Sequence, residues 1–205
     1  MALTQSINGG LRRIPPWTIY IVGAAYAVWE FWRALNQIGP YLVEPINVLE
    51  RAYGEVALIL MVVGLMVTPL RNWLGVNLLK FRRAIGVTAF FFVLAHFLVF
   101  AILDVQSLER VWTETVKRPY VTVGMLSFLM LIPLAVTSNN VSVRKMGAAS
   151  WRQLHKLTYP AAILGALHYL WLARGFQWEP LIYLALAVGL VALRYMNVRR
   201  QRAVA

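Results

Sequence analysis

The chain has no cysteine, and only three histidines and eight acidic residues among its 205 positions. Without cysteine there is no thiolate metal site, no cysteine-held iron–sulfur cluster, no redox dithiol and no structural disulfide. Charge of either sign is scarce. Charged residues make up 14% and hydrophobic ones 60%, against about a quarter and about a half in a soluble domain. The balance is that of an integral membrane protein, so whatever chemistry it performs rests on histidine, carboxylate, aromatic or backbone groups. In a soluble protein the net charge of +12 would suggest a nucleic-acid partner. Here the basic residues cluster at the ends of apolar stretches, so they read as topology determinants, and no nucleic acid is expected.

What the chain does have is long apolar runs, at about 17–38, 53–70, 84–103, 120–137, 157–173 and 181–195. A bilayer crossing takes about 20 residues, which the fifth and sixth runs reach only with their polar ends included. A segment in hydrocarbon must satisfy its own backbone hydrogen bonds, so all six are expected to be helices. The fold class is therefore all-α, a bundle of six transmembrane helices. Residues 1–205 form a single membrane-embedded domain with no room for a separate soluble one.

Orientation follows from charge. Arg12, Arg13, Arg71, Lys80, Arg82, Arg83, Arg144, Lys145, Arg152, Lys156, Arg194, Arg199, Arg200 and Arg202 flank one side, fourteen of the 20 basic residues. All eight acids lie at or near the other side. The excess of Lys and Arg in cytoplasmic segments places both termini in the cytoplasm.

All three histidines lie in or at the edge of apolar runs. His96 is 13 residues beyond Arg83, and His168 is 12 residues beyond Lys156. At 1.5 Å per residue these are rises of about 20 and 18 Å from the same side. The two imidazoles thus reach nearly one depth, in the outer half of the bilayer, on two different helices. That is the arrangement a six-coordinate haem iron needs, with axial ligands from facing helices of a bundle. Bis-imidazole ligation leaves no open position, which suits electron transfer rather than oxygen chemistry. Small residues nearby, Ala95 and Gly165 among them, leave room for a macrocycle or equally for tight helix packing. His155 sits 13 residues before His168. The rise of about 20 Å suits a second, stacked haem, but about 220° of helical rotation points the two rings to different faces. A second haem ligand and an interfacial hydrogen-bonding residue both remain open for it.

The stretches KFRRAIGVTAFFFVLAHFL, RPYVTVGMLSFLMLIPLAVTS, WRQLHKLTY followed by LHYLW, and PLIYLALAVGLVALRY together resemble a known family. This is MsrQ, the haem-binding membrane subunits of bacterial methionine sulfoxide reductase systems, within the ferric-reductase-like transmembrane group. The resemblance spans roughly residues 50–198. It implies a multi-pass protein of the bacterial inner (cytoplasmic) membrane that binds haem b and also FMN. It further implies electron passage from the quinone pool to a periplasmic molybdenum-cofactor enzyme of the MsrP type, which reduces oxidised methionines in periplasmic proteins. The chain itself would not be the catalytic reductase. By motif, His96 and His168 match the family's haem-ligand positions, and His155 matches its third histidine.

Among other candidates, Arg118 suits a haem propionate or the partner enzyme, or is an ordinary interfacial arginine. Arg82 and Arg83 suit propionates, an FMN phosphate or anionic membrane lipid, or serve only as positive-inside anchors. Tyr20, Glu30 and Glu55 are candidates to line a quinone pocket. Two rival readings remain. One is a ferric-reductase-like protein fed by a separate cytosolic flavin reductase, since the ten residues after Tyr195 hold no nucleotide-binding domain. The other is a proton or metal transporter without haem, using the histidines as relays.

Overall fold

The computed structural model describes the backbone of residues 2–173 and 175–204, and the side chains of 4–173 and 175–196. Arg174 and the side chains of Arg199, Arg200 and Arg202 lie outside the described residues. The described chain is helical and contains no strand. In order the helices are α1 (Ala2–Arg13), α2 (Thr18–Leu35), α3 (Pro45–Leu74), α4 (Arg82–Leu98), α5 (Leu108–Lys117), α6 (Pro119–Val136), α7 (Asn140–Met146), α8 (Ala148–Leu154), α9 (Thr158–Leu172) and α10 (Trp178–Val204).

Local signals account for the breaks between them. Pro45 and Pro119 open α3 and α6, where a missing N–H costs nothing because first-turn donors have no intrahelical partner. Gly75 ends α3 at φ 69°, its N–H donating to the Leu70 carbonyl, and a residue with a Cβ would be strained there. The Asn139 side chain accepts from the Ser142 N–H at 2.8 Å and caps α7.

Among the described residues, four helices are long and apolar enough to cross a membrane: Pro45–Leu74, Leu79–Asp104, Pro119–Val136 and Trp178–Met196. These correspond to four of the six expected runs. Of the other two, α2 carries Glu30 and Arg33 among its 18 residues. The other, α9, has only 15 residues, because a 3₁₀ turn at His155–Leu157 precedes it. Two of the connections between the apolar runs are partly helical, with α7 and α8 after α6 and the ten-residue α5 before it.

Two helix pairs form the centre, α3 against α4 and α6 against α9; α10 packs on α9 and α3, and α2 on α3 and α4. Close approach is made possible by small side chains. Ala161, Ala162 and Ala166 on α9 are completely buried, and the Ser127 hydroxyl of α6 donates to the Ala161 carbonyl at 2.8 Å. In a bilayer, where lipid is as apolar as leucine, such small contacts and interhelical hydrogen bonds hold helices together. α4 does not stop cleanly but widens into a π-helical segment, Val99–Asp104. There the Val105 and Gln106 N–H groups donate five residues back, to Phe100 and Ala101. Such wide turns are frequent at functional sites.

Candidate functional site

Between the two central pairs lies a cavity of about 480 Å³, within the size range of cofactor pockets. His96, Phe100 and Asp104, at four-residue steps along α4 and its π segment, line one wall, and His168 lines the opposite one. The cavity is polar at one end and apolar at the other. Asn47, Glu50, Arg51, Asp104, Arg118 and Tyr120 sit where α3 and α6 begin, while Leu58, Met61, Val93, Met125 and Phe128 lie further along the helices.

The His96 and His168 ring centroids are 6.1 Å apart, with the ring planes turned 74° from each other. Each ring is anchored from behind. His96 Nδ1 lies 2.8 Å from the Glu50 carbonyl of α3, and His168 Nδ1 lies 2.7 Å from the Tyr120 carbonyl of α6. A carbonyl oxygen only accepts, so Nδ1 carries the proton in both rings and donates it. That sets the tautomer and leaves each Nε2 with its lone pair free. A backbone acceptor behind one nitrogen and a free lone pair on the other is the usual state of a metal-ligating imidazole.

Arg118 joins the same cavity at its polar end. Its Nη1 donates to the Tyr120 hydroxyl at 3.0 Å, and its Nε forms an ion pair with Glu114. The remaining candidates lie elsewhere. Arg82 and Arg83 are exposed at the start of α4. His155 lies near both, just ahead of α9, and does not line the cavity. Its ring stacks on Trp151 with centroids 3.8 Å apart. Its Nε2 is 3.0 Å from the Thr137 hydroxyl. That hydroxyl spends its proton on the Pro133 carbonyl at 2.6 Å, so His155 Nε2 is the donor. Burial, then the neighbouring Arg82 and Arg83 cations, push His155 down to about 4, so it is neutral at physiological pH.

Of the quinone-pocket candidates, Glu55 lines the cavity and Tyr20 does not. Glu30, on α2, is buried and held by the Tyr41 hydroxyl and by Arg33. The sequence reading missed Asn47, Arg51 and the two backbone carbonyls. Arg51 and Asn47 were within reach of the same depth arithmetic, because they lie just before the start of the second run. The carbonyls carried no residue-type signal at all. Among the described residues, no group of three or more His, Asp or Glu side chains is placed to hold a metal ion.

The family described as "Ferric reductase like transmembrane component" matches residues 53–166. Curated relatives extend the match over nearly the whole chain. The "Protein-methionine-sulfoxide reductase heme-binding subunit MsrQ" of Brucella ovis is 39% identical over 189 residues, covering 90% of this chain and 84% of its own. The proteins of the same name from Brucella canis and Brucella suis match to the same extent. The chain belongs to the MsrQ family. No solved structure matches it. The ferric-reductase-like match takes in His96 and His155 and ends two residues before His168. The MsrQ membership therefore rests on the longer likeness as well as on that core.

Proposed function

We propose that this chain is the membrane electron-transfer subunit of a methionine sulfoxide reductase system. It holds haem b between His96 and His168 and passes electrons from the quinone pool to a periplasmic molybdenum-cofactor reductase of the MsrP type. The observation that carries this reading is the facing imidazole pair, with both Nδ1 protons tied to backbone carbonyls. Two imidazoles sharing one metal ion, each at about 2 Å and with about 1.1 Å from nitrogen to ring centre, would have centroids about 6 Å apart. The separation is 6.1 Å. The cavity's one polar and one apolar end fit an apolar disc with two carboxylates on one edge, and Arg51, Arg118 and Asn47 are the donors at that end, beside the acids Glu50 and Asp104.

Haem held there would supply one-electron acceptance and release. The chain's own residues do the rest. Glu50 and Tyr120 hold the imidazoles in register through their carbonyls. Phe97, Phe128 and Met61 exclude water from the apolar end, and Arg118 with Tyr120 keeps positive charge at the polar end. FMN, which the family likeness suggests, would find its phosphate partners in Arg82 and Arg83 at the opposite end of the bundle.

The reading includes six crossings of the bacterial inner membrane within one domain, with α2 and α9 added to the four long apolar helices and both termini cytoplasmic. It is supported by the collection of basic residues at the ends of the bundle opposite the cavity mouth. His96→Ala and His168→Ala are each expected to abolish the low-spin reduced-minus-oxidised haem spectrum of the purified protein. Retention of a normal low-spin spectrum by either variant overturns the ligand pair. Reduction by a quinol analogue, followed by reoxidation on adding an MsrP-type reductase with methionine sulfoxide, tests the direction of flow.

A further inference from the structure

The two imidazoles are held by the same local device, used twice. On α3, the Glu50 carbonyl accepts from His96, and four residues later comes Gly54. On α6, the Tyr120 carbonyl accepts from His168, and four residues later comes Gly124. The spacing has a physical reason. A helical Cα–Cβ bond tilts toward the helix N-terminus, so the side chain of residue i+4 lies over the carbonyl of residue i. Any residue but glycine at that position covers the oxygen a partner ring must reach.

The space confirms the point. A Cβ built on Gly54 would stand 3.1 Å from His96 Nδ1 and 3.3 Å from its Cε1. One built on Gly124 would stand 2.9 Å from His168 Nδ1 and 3.1 Å from both Cε1 and Cγ. At both places the three nearest atoms all belong to the histidine ring. Crowding against a histidine is particular to these two, for helical Gly86 and Gly189 have nothing within 4 Å and the tight neighbour of Gly23 is a Thr88 methyl at 2.7 Å.

We propose that Gly54 and Gly124 are positioning residues, notches that let His96 and His168 lie against a helix backbone and bond its carbonyl. They thereby set the orientation and donor strength of the Nε2 atoms offered to the haem iron. This rests on the ligand reading above and deepens it. The hydrogen bond from Nδ1 draws the ring toward imidazolate character, which makes Nε2 a stronger donor and favours the ferric state. Closing a notch turns the ring, lengthens that bond and weakens the donor. The two notches are unequal. The Gly124 contact lies below any distance a real Cβ tolerates, whereas the Gly54 contact asks for a shift of a few tenths of an ångström.

The test uses the full-length membrane protein, purified with its haem, as the unmodified chain and as Gly54→Ala, Gly124→Ala and Gly189→Ala. The readouts are haem per chain, the low-spin ferric EPR spectrum and the midpoint potential. Ring planes turned 74° apart are expected to give the strongly anisotropic low-spin signal of near-perpendicular imidazoles. Gly54→Ala is expected to keep its haem with an altered EPR signal and a raised midpoint potential. Gly124→Ala is expected to lose most of its haem, and Gly189→Ala to match the unmodified chain in all three. If Gly124→Ala does not accumulate, Gly54→Ala decides alone. An unchanged EPR signal and potential in the glycine variants that fold overturns the notch proposal while leaving the ligand pair standing. Absence of a low-spin signal from the unmodified protein removes both.

Discussion

His155 shows how much a single position depends on what its neighbours leave free. Its ring is stacked on Trp151 and its Nε2 proton is given to Thr137. The Trp151 indole N–H in turn donates to the Thr137 carbonyl at 2.8 Å. These contacts close the carboxyl end of α6, where carbonyls have no intrahelical partner, against the 3₁₀ turn that starts α9. A structural task of this kind predicts a separable phenotype. His155→Ala is expected to leave the haem of the His96–His168 pair in place. It should lower stability by about 0.5–1.5 kcal/mol, the ordinary worth of one hydrogen bond. A haem quantitation alongside a thermal melt in detergent checks it, and complete loss of haem would contradict the separation of the two sites. Glu30 is a second buried polar residue with its partners supplied nearby, the Tyr41 hydroxyl and Arg33. Its environment reads as a tie between α2 and the turn that follows it.

Among the elements, α5 is the one whose surface calls for an environment. Leu108, Trp112 and Val116 recur every fourth residue and are 85%, 71% and 62% exposed. Val111, on the adjoining face, is buried, and the Thr122 hydroxyl of α6 donates to the Thr115 carbonyl. A short helix with one face docked, one apolar stripe bare and Arg110 and Lys117 on the remaining side has the form of an interfacial helix lying in the headgroup boundary. The absence of cysteine makes this directly measurable, since a spin label can be attached at a single introduced thiol without background. A label at Trp112→Cys is expected to be reached by oxygen dissolved in lipid, and one at Arg110→Cys by a water-soluble relaxant. The reverse pattern would show that α5 stands away from the membrane. The same helix carries Glu114, the ion-pair partner of Arg118, so its seat bears on the polar mouth of the cavity.

At the scale of the whole molecule, the bundle is built from two similar halves. In each, a helix opened by proline (α3 or α6) runs away from the cavity mouth, and its partner (α4 or α9) returns carrying the histidine. Each histidine meets the early turns of its partner helix, 46 and 48 residues back in the chain. Four segments packed this way put both imidazoles on facing walls of one cavity, with its polar lining gathered where α3 and α6 begin. With the basic loops on the opposite side, reporters give a clean expectation. A reporter inserted after Gly147 should read as cytoplasmic and one inserted after Ser107 as periplasmic. Exchange of those signals would invert the orientation and with it the face to which the proposed function delivers electrons.

Much of this was legible in the residues alone. The membrane class followed from composition, because burying so much apolar surface inside so small a soluble protein is not feasible. The matched depth of His96 and His168 followed from the invariant rise of a helix and from the basic residues that mark one end of each run. The family was legible too, in an ordered set of short motifs that no single motif would have established. The rotation between His155 and His168 could be counted, but what the residues could not carry was which neighbour each face meets. Depth along a helix is set by counting, but which face looks at which neighbour is set by packing. Only the folded bundle turned both imidazoles inward and His155 aside onto Trp151 and Thr137. The supporting groups were hidden for a further reason. The Glu50 and Tyr120 carbonyls belong to the backbone every residue shares, and Gly54 and Gly124 act by lacking a side chain. Their meaning appears only when another helix lies against them.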